Sequence, residues 1–207
     1  CGAFAKAHQV LEELPNRNVV SWNTLIAGYA QEGQGHEALN CFEQMQLQGV
    51  SLDVGTYICG LKACGIIQDA GKGQQIYNKI AGEGIFENEI GSALVDMFSK
   101  CGLLSKSQDV FDHLPCHDVV SWTTVIAGYT GYGYNQEALE YFERMKLEGV
   151  SLNSVTFLCC LKACNSVHTM GKGQELHFEI QRQGLLTRNL TVGNSLIGMY
   201  AKSGCLT

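Results

Sequence analysis

Residues 19–53 read VVSWNTLIAGYAQEGQGHEALNCFEQMQLQGVSLD, and residues 119–153 read VVSWTTVIAGYTGYGYNQEALEYFERMKLEGVSLN. The two stretches are identical at 21 of 35 positions, at a constant offset of 100 residues. Agreement of this quality indicates an internal repeat and predicts an array of similar units. Most apolar residues are the same in both stretches, but several polar positions differ: for example, Thr123 replaces Asn23, and Asn153 replaces Asp53.

The rest of the chain repeats with nearly the same offset and divides into three kinds of unit. The start of the third kind returns near the chain end with an offset of 102, so the loop before it carries two extra residues. The chain begins and ends within a unit, and we expect it to be part of a longer array. The predicted unit boundaries are 1–18, 19–53, 54–88, 89–118, 119–153, 154–189 and 190–207.

Each unit predicts two helices joined by a short turn. In 19–53 the first helix is expected to begin at about Ser21, with Ser21 as its N-cap, and a second helix at about residue 36. The apolar face of the first helix consists of Trp22, Leu25, Ile26 and Tyr29. Neither helix can bury its apolar face alone, so the hairpins must stack on their neighbours. The sequence therefore predicts an all-α fold with no convincing strand.

Composition excludes several classes of protein. No apolar stretch approaches the roughly 20 residues that span a bilayer, and no secretory signal is visible, so we expect no membrane partner. The net charge of −6 weakly disfavours nucleic-acid binding, for which a basic surface is the usual sign. No two of the ten cysteines are spaced as C-x-x-C, and several occupy the same position in both copies of the repeat. This pattern predicts buried thiols rather than disulfides or metal ligands.

Two short strings match only part of a catalytic motif. Gly71-Lys72-Gly73 is not a P-loop, because no Ser or Thr follows the lysine. His177-Phe178-Glu179 matches the start of a zinc deaminase signature, but no P-C-x-x-C follows it. We therefore predict no catalytic residue, metal site, cofactor or small-molecule substrate in this segment.

The order of the units carries a family resemblance. A W-x2-L…G-Y…A-x3-F spacing is similar to that of tetratricopeptide repeats, but the alternation of three kinds of unit is not theirs. It resembles the pentatricopeptide repeat proteins of the plant PLS subfamily, which cycle through P, L and S motifs. VVSWNTLIAGYAQEGQGHEAL resembles a P motif, LKACGIIQDAGKGQQIY an L motif, and GSALVDMFSKCG with DVFDHLP an S motif.

This resemblance implies a right-handed α-solenoid, or superhelix, that binds single-stranded RNA with one base per repeat. The family reads a base with the fifth and the last residue of each motif. The residues carried over are Asn23 with Asp53, Ser92 with Asp118, Thr123 with Asn153, Asn194, and Asn18 as the last residue of the first, truncated unit. The three complete pairs imply uracil, guanine and adenine respectively.

The L units carry apolar residues at the reading position, Ile58 and Leu158, and we expect no base choice there. The implied RNA is 5′-U-n-G-A-n-pyrimidine. The second residue of a motif flanks the base in this family, which assigns that role to Val20, Val120 and Val155, whereas Gly55 departs from the pattern. Lys100 and Lys202 occupy a position that often meets phosphate, although lysine in a last helical turn is also favoured by the helix dipole.

By the same resemblance we expect a mitochondrial or chloroplast protein that positions transcripts for C-to-U editing or other RNA processing. Editing-complex proteins would be further partners. The alternative is a protein-binding scaffold of the tetratricopeptide kind, which the acidic balance favours slightly.

Overall fold

The computed structural model describes residues 2–164 and 170–202, and all regular secondary structure in these ranges is α-helical. The expectation of an all-α fold is confirmed. The chain divides into two compact units, residues 1–115 and 116–207, which are described separately. No helix in the described ranges is both long and apolar enough to cross a bilayer.

The first unit contains seven helices among its described residues. They are α1 (Gly2–Glu13), α2 (Val19–Gln31), α3 (Gly35–Leu47), α4 (Val54–Ile67), α5 (Ala70–Glu83), α6 (Asn88–Lys100) and α7 (Leu104–Asp112). Helices α2, α4 and α6, the first helices of successive repeats, contact one another in chain order, and each packs against the second helix of its own hairpin. The first helices therefore form a continuous layer, as expected for stacked hairpins.

The second unit repeats this plan. Its helices are α8 (Val119–Gly131), α9 (Asn135–Leu147), α10 (Ser154–Ala163), α11 (Met170–Arg182), α12 (Leu185–Arg188) and α13 (Leu190–Lys202). Helix α10 contacts α8, α9, α11 and α13. The short α12 lies in the loop that carries the two extra residues, so that insertion is absorbed as one added helical turn before α13.

The apolar frame common to both copies forms the core. Trp22 and Trp122, on the predicted apolar stripe, are 1% and 0% exposed. The described cysteines are all free thiols, and burial raises the pKa of Cys64 to about 12, so this thiol is unreactive at neutral pH.

Two further contacts recur between the copies and explain the repeated GKGQ string. Lys72 forms an ion pair with Glu43, and Lys172 Nζ lies 2.6 Å from Glu143 Oε1. In the first copy, the glycine that follows this lysine is Gly73, and a Cβ atom there would lie 2.3 Å from Met97 Sδ. The lysine therefore ties together the second helices of neighbouring repeats, and the glycine allows close helix packing.

Candidate nucleic-acid interface

The first helices of the repeats carry the predicted reading residues at one repeated position. Asn23, Ile58, Thr123, Leu158 and Asn194 are each the fifth residue of their helix. Helix α6 begins at Asn88, one residue before the unit boundary placed from the sequence, and this start makes Ser92 the fifth residue of its helix as well.

The side chains of Asn23, Asp53 and Thr56, here called the Asn23 cluster, are joined by hydrogen bonds. Asn23 Nδ2 donates to Asp53 Oδ1 at 3.0 Å, and Thr56 Oγ1 lies 2.8 Å from Asn23 Oδ1. The backbone N–H of Thr56 donates to Asp53 Oδ1 at 2.7 Å, and that of Asp53 donates to Thr56 Oγ1 at 3.3 Å. The fifth and the last residue of the first P unit therefore contact each other directly.

The Asp53 carboxylate is held in its charged form. Burial raises the pKa of Asp53, but hydrogen bonds from Thr56 and Asn23 lower it by more, so that its pKa lies below the ordinary value of 3.8. Asp53 Oδ1 accepts the bonds within the cluster, and Oδ2 has no partner among the described residues. At neutral pH the pair thus offers an amide donor beside a carboxylate acceptor.

The corresponding Thr123 cluster consists of Thr123, Asn153 and Thr156, and it is uncharged. Thr123 Oγ1 lies 3.0 Å from Thr156 Oγ1, and Thr156 Oγ1 donates to Asn153 Oδ1 at 3.0 Å. The backbone N–H of Thr156 also donates to Asn153 Oδ1, at 2.9 Å. In this unit the fifth and the last residue are linked through a threonine hydroxyl.

The last residues of the units 1–18, 19–53, 89–118 and 119–153 also act as helix N-caps. Asp53 and Asn153 cap α4 and α10, and Asp118 caps α8 by accepting a bond from the Ser121 backbone N–H at 2.8 Å. Asn18 caps α2 in the same way, so the assignment of Ser21 as N-cap was wrong. Because Asn18 Oδ1 accepts from the Ser21 N–H, the helix begins two residues earlier.

The remaining candidate positions differ in their surroundings. Ser92 Oγ is buried and has no hydrogen-bond partner among the described residues. Ser92 belongs to the first compact unit and Asp118 to the second. Asn194 is exposed on α13, and Ile58 and Leu158 are half-buried.

The predicted base-flanking residues are exposed apolar side chains. Val20, Val120 and Val155 are 65%, 57% and 50% exposed, each in the first turn of its helix. At the corresponding Gly55, a Cβ atom would lie 3.4 Å from both Asn23 Nδ2 and Asp53 Oδ1. The second residue of α4 therefore borders the Asn23 cluster, and there the apolar side chain is missing.

Basic side chains line an opening beside this surface. It has a volume of about 310 Å³ and lies among α2, α4 and α6, with Lys62 and Lys100 in its lining. Lys100 Nζ forms an ion pair with Asp96 Oδ2 at 2.7 Å, which competes with phosphate binding. Lys202 is exposed in the last turn of α13.

Sequence reasoning missed Lys62 and the two threonines. The signals were present, because Lys62 returns as Lys162 and Thr56 as Thr156 in the copied L units. No group of three potential metal ligands occurs among the described residues. His177, from the deaminase-like string, contacts Tyr200 Oη at 3.1 Å, and Glu179 pairs with Arg182.

Comparison with known proteins identifies the repeats. The PPR repeat family model matches residues 17–65 and 117–166. A chloroplastic and a putative mitochondrial pentatricopeptide repeat-containing protein of Arabidopsis thaliana are each 36% identical to the chain, over 205 and 209 residues. These alignments cover 99% and 100% of this chain and 33% of each relative. The chain thus spans about a third of the length of these relatives, whose names agree with the expected mitochondrial or chloroplast location.

A solved structure supports the same assignment. The pentatricopeptide repeat protein PPR10, in complex with an 18-nt psaJ RNA element, matches with a TM-score of 0.75 over 96% of this chain and 30% of that protein, at 20% identity. This likeness confirms the α-solenoid fold class. Together with the family model and the curated relatives, it shows that the chain belongs to the pentatricopeptide repeat family.

Proposed function

We propose that this segment binds single-stranded RNA sequence-selectively, with the first helices of its repeats facing the RNA. The observation that carries the proposal is the contact between Asn23 and Asp53, which joins the fifth and the last residue of a repeat into one donor–acceptor pair. Unpaired RNA bases expose hydrogen-bonding edges that such a pair can recognise. The structural neighbour PPR10 was solved with an RNA element bound.

The apolar and basic surroundings of the pair suit this ligand. Val20 and Val155 are exposed side chains that a base can cover, which would remove apolar surface from water. Lys62 and Lys100 lie in an opening between the same helices, where RNA phosphates would add affinity without sequence information. The net charge of −6 does not prevent RNA binding, because phosphate contacts depend on the basic side chains close to the RNA.

The finer assignment follows the P, L and S order of the units. We infer a member of the PLS subfamily that reads uracil with Asn23 and Asp53, guanine with Ser92 and Asp118, and adenine with Thr123 and Asn153. Asn194 would read a pyrimidine, and the L units would contribute spacing without base choice. Val20, Val120 and Val155 would flank the bases, and Lys100 and Lys202 would meet phosphate.

In the cell we place the protein in mitochondria or chloroplasts. There it would hold a transcript in register for C-to-U editing or another processing step, with editing-complex proteins as partners. The repeats in this segment would not perform the chemistry, which would belong to a separate catalytic domain or partner.

Binding by fluorescence anisotropy tests the proposal. The RNA 5′-UAGAAU, flanked by adenines, should bind more tightly than a scrambled RNA of the same composition. Substitution of the first U or of the A that follows G should weaken binding, whereas substitution at either L-unit position should not. Equal affinity for all these RNAs would reject base reading. Absence of RNA binding together with binding to a protein partner would favour the tetratricopeptide-like scaffold instead.

A further inference from the structure

Two buried hydroxyl groups contact the candidate reading residues from the neighbouring repeat. Thr56 and Thr156 are each 0% exposed and occupy the third position of the helices α4 and α10. Each lies within hydrogen-bond distance of the fifth residue of the preceding repeat, at 2.8 Å from Asn23 Oδ1 and 3.0 Å from Thr123 Oγ1. Since a hydroxyl has one proton, its direction decides what the reading residue presents.

In the Asn23 cluster the Thr56 hydroxyl has one proton and two acceptors. Thr56 Oγ1 lies 2.7 Å from Asp53 Oδ1 as well as 2.8 Å from Asn23 Oδ1. Asp53 Oδ1 already accepts N–H bonds from Asn23 and Thr56, whereas Asn23 Oδ1 has no other donor among the described residues. The Asn23 amide N–H donates to Asp53 Oδ1, so the amide oxygen faces the threonine and lies within reach of the hydroxyl proton. This orientation leaves the second amide N–H free for a base.

In the Thr123 cluster the directions of the hydroxyl bonds follow from the side-chain oxygen of Asn153. Asn153 Oδ1 has no proton, so Thr156 must donate to it. Thr156 then has no proton left, and Thr123 must donate its own to Thr156. Thr123 keeps only lone pairs for a ligand, beside the free amide N–H groups of Asn153. An acceptor beside a donor is complementary to the amino group and N1 of adenine.

We propose that Thr56 and Thr156 are positioning residues that set the donor and acceptor pattern presented to the RNA base. This rests on the proposed RNA-reading function. The backbone N–H of each threonine caps its helix, and in α4 the Thr56 hydroxyl also accepts from the Asp53 N–H in a capping box, but neither bond requires a contact with the fifth residue of the preceding repeat. The hydroxyls of Ser21 and Ser121, at the third position of α2 and α8, instead turn to the backbone carbonyls of Asn18 and Asp118.

The variants Thr56→Val and Thr156→Val test the proposal, because valine keeps the shape and removes the hydroxyl. Affinities are measured by anisotropy for RNAs that carry each of the four bases opposite the two clusters. Thr56→Val should reduce the preference for uracil opposite Asn23 by about threefold to tenfold and leave the preference opposite Thr123 unchanged. Thr156→Val should reduce the preference for adenine opposite Thr123 and leave the preference opposite Asn23 unchanged. Serine at either position should restore the preference.

Ser121→Ala is the matched control, since it removes a hydroxyl at the same helical position that donates to the backbone carbonyl of Asp118. It should leave both base preferences unchanged. Circular dichroism confirms that each variant is folded, and the two sites in separate units provide independent tests. If the valine variants keep full selectivity and only lose thermal stability, the threonines are caps and the proposal is wrong. If the wild type has no base preference, the reading function itself fails.

Discussion

Asn23 donates to Asp53 across 30 residues of sequence, whereas Thr123 reaches its corresponding Asn153 only through Thr156. The two P units share one backbone frame, so their difference lies in these side chains. Replacing both residues of the second unit should therefore transfer the properties of the first.

The double variant Thr123→Asn/Asn153→Asp should rebuild the Asn23 cluster around Thr156. We expect preference at that position to move from adenine to uracil, by about tenfold in relative affinity, since a hydrogen bond to a charged group contributes roughly 1.5–3 kcal/mol. The first P unit is an internal control, and its preference for uracil should not change. Retention of adenine preference would contradict the assignment of these two residues as readers.

Gly55→Val should strengthen RNA binding. The new side chain supplies the apolar surface that Val155 provides in the other copy, and its Cβ fits at 3.4 Å from the Asn23 cluster. Burying about half of a valine side chain against a base corresponds to about 1 kcal/mol, or roughly fivefold in affinity. Gly82→Val, in the second helix α5 and with no described atom within 4 Å of its Cβ, is the control. An equal gain from both variants would indicate a general effect on helix stability.

Lys62→Gln should weaken binding to all RNA sequences alike. Lys62 lines the opening among the first helices, and a phosphate contact there would be independent of the base. The slope of log affinity against log salt should become shallower by about 0.7, the value for one phosphate contact on a single strand. Lys79→Gln, which removes an exposed charge from α5, should leave the slope unchanged. A loss of affinity confined to one sequence would show that Lys62 contacts a base instead.

Asp53 should make folding stability dependent on acid pH. Its pKa is lower in the folded state than the ordinary 3.8, so the charged form stabilises the fold. That contribution is present above about pH 4 and is lost as the pH falls through the folded-state pKa. Urea unfolding at pH 6 and pH 3 should show the difference between wild type and Asp53→Asn shrinking at the lower pH. Asn153→Asp should introduce a similar pH dependence in the second unit.

Gly173→Ala should destabilise the second unit. Its Cβ would lie 2.4 Å from Met199 Sδ, and Met199 is 1% exposed, so overpacking of about 1–3 kcal/mol is expected. Gly171→Ala, two residues earlier in α11, meets no described atom within 4 Å and should be neutral or stabilising by up to about 1 kcal/mol. Midpoints of urea unfolding compare the two. Equal effects would mean that Met199 moves aside freely.

The internal repeat and the spacing of apolar residues predicted the helical hairpins. Hairpins that pack on neighbouring hairpins must keep their apolar residues at the same spacing in every repeat. The same spacing also predicted the burial of Trp22. The cap of α2 was misplaced since Ser and Asn both cap helices, and only the structure shows the Ser21 N–H donating to Asn18. The start of α6 carries no such signal, because its N-cap residue Glu87 makes no side-chain capping bond.

The roles of Thr56 and Lys62 could not be read from local spacing. Thr56 contacts Asn23 across 33 residues and a repeat boundary, and sequence periodicity gives no distance between side chains of different hairpins. Lys62 and Lys100 likewise share an opening only after α4 and α6 pack together. Thr56 and Lys62 both recur at the same position in the second L unit. The apolar core residues recur as well, so repetition alone does not distinguish a functional residue from a packing residue.

The capping role of Asn18, Asp53, Asp118 and Asn153 limits which residues can evolve at these positions. A cap needs a short side chain with an oxygen that reaches the backbone N–H two or three residues on, which admits Asn and Asp but excludes longer residues. Exchange between these two keeps the helix start intact while it replaces a carboxylate with an amide at the surface. Under the proposed function, a single exchange between Asn and Asp would change the base that a repeat prefers without altering the scaffold, and the capping requirement keeps the set of usable residues small.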